Sequence, residues 1–164
     1  KGKNENFKIG VKLVRGAYME KERAMAVKFN YNDPIQKDKL STDIDFNKGI
    51  DYCIKNLKEL AICLGTHNEK SCLYLIELMK LNKIDKNDSR IYFAQLLGMS
   101  DHISFNLSKE NYNVAKYVPY GPIKEVMPYL LRRAKENTSV AGQTSRELNL
   151  ISKELKRRKL VKRV

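Results

Sequence analysis

Arg132, Arg133 and Glu136 lie close together in Tyr117-Val-Pro-Tyr-Gly-Pro-Ile-Lys-Glu-Val-Met-Pro-Tyr-Leu-Leu-Arg-Arg-Ala-Lys-Glu-Asn137. This stretch reads as a strand end, a tight Pro/Gly turn and a helix. On a helix, Arg132 and Glu136 are four apart and Arg133 and Glu136 three apart, so each arginine can lie beside the carboxylate. Two adjacent guanidiniums present fixed donors suited to bidentate capture of a carboxylate. Glu136 beside them adds a negative spot that could meet an ammonium. Together these groups could receive a zwitterion, meaning a small amino acid. The alternative is a solvated Arg/Glu helix face, which is ordinary surface chemistry.

Three other segments place reactive side chains at the ends of apolar runs. Along Val11-Lys12-Leu13-Val14 the side chains alternate, so Lys12 and Val14 share a face. An inward lysine in a barrel is unfavourable unless an anion or polar ligand meets it. The alternative is an edge strand with Lys12 in solvent. Arg15 and Gly16 follow at the rim, and Gly16 permits close approach of backbone to a ligand. In Gly65-Thr66-His67-Asn68, Thr66 or Asn68 could cap the helix that follows, and Ser71 suits an Asn68 cap. A helix N-terminus there would suit phosphates or hydroxyls. His67 is not read as a general base, and His102 has no evident partner and reads as structural. In Tyr92-Phe-Ala-Gln-Leu-Leu-Gly-Met-Ser-Asp101, Gln95 ends a strand and precedes Leu96 and Leu97, for which plain core packing is the alternative.

The elements that must position these residues alternate between two periods. Strands are expected over 7–14, 61–66, 90–97 and 113–117. Helices are expected over 20–29, 42–60, 69–81, from Pro122, and over about 145–160, with 103–107 either a short helix or irregular. Within 42–60, Ile44, Ile50, Ile54 and Leu57 follow helix-like spacing, with Phe46 and Tyr52 alongside. Cys72, Leu75, Ile76 and Met79 line one side of 69–81. Pro128 is expected to kink its helix or mark where the regular part begins. Strand and helix alternate four times, which argues an α/β protein with parallel strands. No Gly-rich phosphate loop supports a Rossmann or P-loop reading. Eight-unit barrels usually need about 250 residues. From the residues alone the chain is therefore an open α/β domain or a partial barrel. Barrel active sites lie at the C-terminal strand ends, where all four segments fall.

The 164 residues carry a formal charge of +13. Lys153, Lys156, Arg157, Arg158, Lys159, Lys162 and Arg163 stand against Glu154 alone near the end. Such a run suits an anionic membrane surface or a solvated tail better than nucleic acid, because no helix-turn-helix, zinc or RNP pattern supplies a reading surface. The odd count of cysteines (Cys53, Cys63, Cys72), in apolar contexts and without metal-type spacing, points to reduced core thiols. There is no apolar run of transmembrane length and no signal-peptide pattern. The chain begins at Lys1 without Met, so a targeting segment upstream would not be visible.

Taken in order, Val11–Tyr18, Gly65–Asn68, Tyr92–Asp101 and Tyr117–Asn137 closely resemble the proline dehydrogenase family. The resemblance implies an α/β fold, the C-terminal half of a distorted (βα)8 TIM-like barrel, with 1–164 as a single partial catalytic domain. It implies FAD as cofactor, L-proline as substrate, Δ1-pyrroline-5-carboxylate as product, a quinone as electron acceptor and a mitochondrial location. Hydride would pass from the proline ring carbon next to nitrogen to the flavin. By the same resemblance, Lys12, Val14, Arg15, Gly16 and Gln95 would lie toward the flavin. His67 and Asn68 would meet the nucleotide portion of FAD, and Thr138 and Ser139 its adenine end. Arg132 and Arg133 would take the substrate carboxylate and Glu136 would pair with them. Tyr117, Tyr129 and Leu97 would line the substrate ring. Hydroxyproline-oxidising relatives tend to carry a smaller residue at the Tyr117 position, so Tyr117 favours proline. A lysine and an aspartate that the family supplies from earlier strands have no counterpart here. The segment alone is therefore expected to leave sheet edges open and to be inactive. The alternatives are a hydroxyproline dehydrogenase and an inactive basic binding module, and a peripheral membrane contact is expected in preference to nucleic acid.

Overall fold

A computed structural model describes residues 2–139 and 143–161, without the side chains of residues 3, 132, 134–139, 143–147, 160 and 161. The chain forms two compact units, Lys1–Tyr117 and Val118–Val164.

The first unit holds strands β1 (Ile9–Leu13), β2 (Leu60–Gly65), β3 (Ile91–Leu96) and β4 (Val114–Tyr117). All pair in parallel, in the order β1-β2-β3-β4. Between them run α1 (Gly2–Glu5, before β1), α2 (Met19–Phe29), α3 (Lys39–Lys55), α4 (Glu69–Leu81) and α5 (Asp101–Lys109). A doubly wound sheet reverses its strand order and carries helices on both faces. Here the order never reverses, and α3, α4 and α5 pack on one face, so the unit is wound as a partial barrel.

Alternation along the strands decides which side chains meet the helices. Leu60, Ile62 and Leu64 of β2 and Ile91 and Phe93 of β3 are buried against Phe46, Ile50, Cys53 and Ile54 of α3 and Cys72, Leu75 and Met79 of α4. Val11, Leu13 and Val114 extend this layer across both edge strands. Each fully buried Leu, Ile or Phe stabilises the layer by about 1.5–3 kcal/mol. Phe93 stands edge-on to Tyr112, with ring centroids 5.7 Å apart.

Local signals set the helix ends. The Asp38 side chain accepts from the Ser41 amide to cap α3, and Asn68 does the same from Ser71 to cap α4. Two expectations change, and of the two readings of 103–107 the helix holds. Ile44 and Tyr52 are exposed, because the buried stripe of α3 runs through Phe46, Ile50, Cys53 and Ile54 instead. The 103–107 segment is a full helix, α5, with Ile103 and Leu107 in the core. Cys63 is half-buried on the face away from the helices, whereas Cys53 and Cys72 are buried. Burial raises all three thiols, Cys72 to about 12, which favours the neutral thiol in each, with Lys12 opposing at Cys63.

The second unit holds α6 (Ile123–Ser139) and α7 (Gln143–Val161). Pro128 lies inside α6. Among the described residues no helix is long and apolar enough to cross a membrane.

Candidate functional site

The strand face away from the helices carries Gly10, Lys12, Ala61, Cys63, Gly65, Tyr92, Ala94, Leu96, Ala115 and Tyr117, by alternation against the buried set. At the C-terminal end, Gly65 pairs with Ala94 and Ala94 with Ala115, so a level of small residues runs across three strands. Lys12 starts on edge strand β1, yet its Nζ lies 4.8 Å from the ring centroid of Tyr117 on the other edge strand. It reaches there by crossing Gly65: a Cβ on Gly65 would stand 3.2 Å from Lys12 Cε and 2.9 Å from Val14 Cγ1. Glycine at 65 thus permits the crossing. The result is a low floor with a cation and an aromatic ring, a cation–π pair of the kind worth about 0.5–1 kcal/mol when exposed.

Arg15 does not point into this face. Its Nη1 donates to Thr66 Oγ1 (3.1 Å) and its Nη2 to Ser71 Oγ (2.7 Å). Its Nε makes a charge contact with Asp43 Oδ1 at 2.8 Å, and its guanidinium covers the Phe46 ring at 3.6 Å. Burial lowers the Arg15 pKa, with Asp43 opposing, and the group stays cationic. The side chain expected to lie toward a flavin instead ties the end of β1 to α3, to the end of β2 and to the start of α4. The reason is that Asp43 and two hydroxyls lie within reach on the helix side.

Gln95 also turns to the helix side. It is 1% exposed; Nε2 donates to the Thr66 carbonyl (3.3 Å) and Oε1 accepts from Ser104 Oγ of α5 (2.9 Å). Alternation forces this, because Ile91 and Phe93 of the same strand are core residues. Gln95 braces the turn after β2 and does not reach the floor. Asn68 caps α4, and its amide donates to Thr66 Oγ1 at 3.1 Å. His67 Nδ1 lies 2.9 Å from Ser100 Oγ. His102 has a partner after all: its Nε2 stands 2.8 Å from Glu69 Oε1.

Val14 is exposed beside the floor. Gly16 has φ +69, and among the described residues nothing lies within 4 Å of a Cβ placed there, which leaves space at the rim. Leu97 is exposed, and its amide donates to the Tyr117 carbonyl at 2.9 Å, extending the ladder past β3.

In the second unit, Arg133 Cζ lies 5.6 Å from the Tyr129 ring centroid one helical turn away. Arg132, Glu136, Thr138 and Ser139 lie on the α6 backbone, and their side chains fall outside the described residues.

The donor set fits a planar, partly anionic cofactor carrying phosphates. The small-residue floor admits a flat ring, Lys12 supplies a cation over it, and the α4 N-terminus with His67 provides donors suited to phosphate. Sequence reasoning missed Asp43, Ser100 and Ser104, and it placed Ser71 only beside the Asn68 cap and Phe46 only along its helix, without their contacts to Arg15. Only the Ser100-Asp101 pair ahead of a helix left a local trace.

The family model described as proline dehydrogenase matches residues 1–146. Proline dehydrogenase 1, mitochondrial, of Homo sapiens is 43% identical over 159 residues, covering 95% of this chain and 26% of that protein. Hydroxyproline dehydrogenase of Xenopus laevis is 42% identical over 153 residues, covering 91% of this chain and 33% of that protein. Among solved structures, proline utilization A from Bdellovibrio bacteriovorus, inactivated by N-propargylglycine, superposes with a TM-score of 0.75 at 26% identity, over 85% of this chain and 14% of that one. The chain thus spans about a quarter to a third of the curated relatives it matches. Sequential parallel strands, an open floor at their C-terminal ends and identity along nearly the whole chain agree: this chain belongs to the proline dehydrogenase family.

Proposed function

We propose that the protein, in its full-length form, oxidises L-proline to Δ1-pyrroline-5-carboxylate with FAD as cofactor and a quinone as final acceptor, in mitochondria. The observation that carries this reading is Lys12 laid across the Gly65–Ala94–Ala115 floor to Tyr117 at the C-terminal strand ends. When bound, FAD supplies the two-electron acceptor for hydride leaving the proline ring carbon next to nitrogen.

The chain's own residues bind and orient. The floor lets a planar ring lie flat, and Lys12 offers a cation to its electron-rich edge. Val14 and the open Gly16 border it. His67 and the α4 N-terminus, capped by Asn68, receive the phosphate end, and Thr138 and Ser139 suit the adenine end. Arg15 and Gln95 serve indirectly, by fixing the Thr66-His67-Asn68 turn. Tyr117 and Leu97 pack on the apolar substrate ring, and Tyr129 lines the pocket. Arg132 and Arg133 hold the carboxylate while Glu136 pairs with them. No side chain is asked for acid or base work; orientation of a neutral-amine proline is the contribution. The basic end of α7 suits peripheral contact with an anionic membrane.

The test is spectroscopic. Full-length protein should purify yellow and bleach when proline is added. A folded, colourless protein that takes up no added FAD would overturn the reading and favour a non-catalytic basic module. Arg133→Met should lower kcat/KM for proline by roughly 10- to 150-fold with FAD retained, the loss of a charged hydrogen bond of about 1.5–3 kcal/mol. Unchanged kcat/KM would remove the carboxylate clamp from the reading. A hydroxyproline substrate is the second reading, favoured by relatives of nearly equal identity. Tyr117 weighs against it by filling the space a ring hydroxyl needs.

A further inference from the structure

Ser100 adopts a conformation that its own helix does not reward. It stands at the N-cap of α5, where a serine side chain ordinarily accepts from an amide of the first turn. Here it makes no cap hydrogen bond, and its backbone is left-handed at φ 52, ψ 41. A non-glycine residue there is strained by about 1–2 kcal/mol. Ser100 is also 1% exposed. What the residue obtains is a contact across the strand ends: its Oγ lies 2.9 Å from His67 Nδ1.

The surroundings lock that contact. Ser104 Oγ donates to Gln95 Oε1 at 2.9 Å and lies 3.4 Å from the Ser100 carbonyl. Gln95 Nε2 donates to the Thr66 carbonyl, immediately before His67. A buried polar chain therefore ties the backbone on the His67 side to the backbone on the Ser100 side. Satisfied buried networks of this kind rigidify the groups they join.

We propose that Ser100 is a positioning residue that sets the plane and tautomer of the His67 ring, and through it the affinity for the dinucleotide; this rests on the FAD reading above. A neutral imidazole has one donor and one acceptor nitrogen. A phosphate oxygen only accepts, so the nitrogen meeting it must carry the proton. Ser100 Oγ then donates to Nδ1, and Nε2 holds the proton.

Two variants of the full-length protein separate this role from a structural one. Ser100→Gly removes the hydroxyl and relieves the left-handed strain. Ser100→Ala removes the hydroxyl and keeps the strain. Ser100→Gly should keep or raise Tm while weakening FAD, titrated by flavin fluorescence, about 3- to 10-fold, as for loss of one hydrogen bond. In a His67→Ala background the same change should have no further effect. Histidine 15N shifts should show His67 Nδ1 unprotonated in wild type, with or without FAD. An unchanged Kd in both variants would overturn the proposal, as would an equal loss in the His67→Ala background. A protonated Nδ1 would also overturn it. Wild-type protein that takes up no FAD would sink the functional reading instead, and the 15N shifts would still decide whether Ser100 sets the tautomer.

Discussion

The two faces of the sheet in the first unit are built from the same strands and do opposite work. On the helix side, Ile62, Leu64, Ile91 and Phe93 are at most 1% exposed and pack against three helices. On the other side, Lys12, Tyr92 and Tyr117 are exposed, with small residues between them. A one-residue slip in any strand would exchange the two sets. Packing therefore fixes the register, and the register presents the chemistry. The faces differ most where the rule is broken: Gln95 is polar yet lies on the packed side, bonded at both ends.

The comparison breaks first in the core. Phe93→Ala should destabilise the full-length protein by about 3–5 kcal/mol, read from urea unfolding. A loss below about 1 kcal/mol would mean that the helix side is not the principal core. Gly65→Ala tests the open face where it is most crowded. The new methyl would meet Val14 Cγ1 at 2.9 Å and the Leu13 carbonyl at 3.2 Å. A loss of about 1–3 kcal/mol is expected, together with weaker FAD binding as Lys12 is pushed aside. Unaltered stability and FAD affinity would show that β1 yields at no penalty and that Lys12 need not cross there.

Tyr117→Ser should lower stability by about 0.5–1.5 kcal/mol, from loss of the Lys12 contact and of a half-exposed ring. The ratio of kcat/KM for proline over 4-hydroxyproline should nevertheless narrow by roughly 10-fold, the scale of one pocket contact. An unchanged ratio would place Tyr117 away from the substrate ring.

The smallest effect is expected at the opposite end of β3. There the Arg90 side chain, with Nε 2.8 Å from Asp88 Oδ1, holds the Asp88 carboxyl below its usual range. A depressed folded pKa contributes stability that is present above the unfolded value of about 3.9 and lost as pH falls through the folded one. Wild type should therefore lose Tm more steeply than Asp88→Asn as pH drops from about 5 to 3, with activity at neutral pH equal in both. Parallel Tm curves would mean that the pair contributes nothing to folding.

Much of the architecture was legible because short-range rules sufficed. Helix α4 begins and ends where the Asn68 cap and the run Cys72, Leu75, Met79 require. The four strands lie within a residue or two of the apolar runs. The sequence misread Ile44 because its spacing from Ile50 fits a helix face almost as well as that of Phe46, and only the packed neighbours choose between them. At the site, Lys12 was readable from alternation along one strand. Arg15 was not, because its partners Asp43, Thr66 and Ser71 lie 28 to 56 positions away. His102 met Glu69 across a similar gap.

The sequence by itself determined the parallel α/β order, the family, and the segments that end at the strand termini. Those follow from period, caps and side-chain type, each set within a few residues. Tertiary structure alone decided the direction of Arg15 and Gln95, the passage of Lys12 over Gly65, and the turning of Ser100 from its helix toward His67. Each of these depends on where distant strands bring their ends together. A side chain takes the partner that packing places within about 3 Å, whichever residue its local pattern favours.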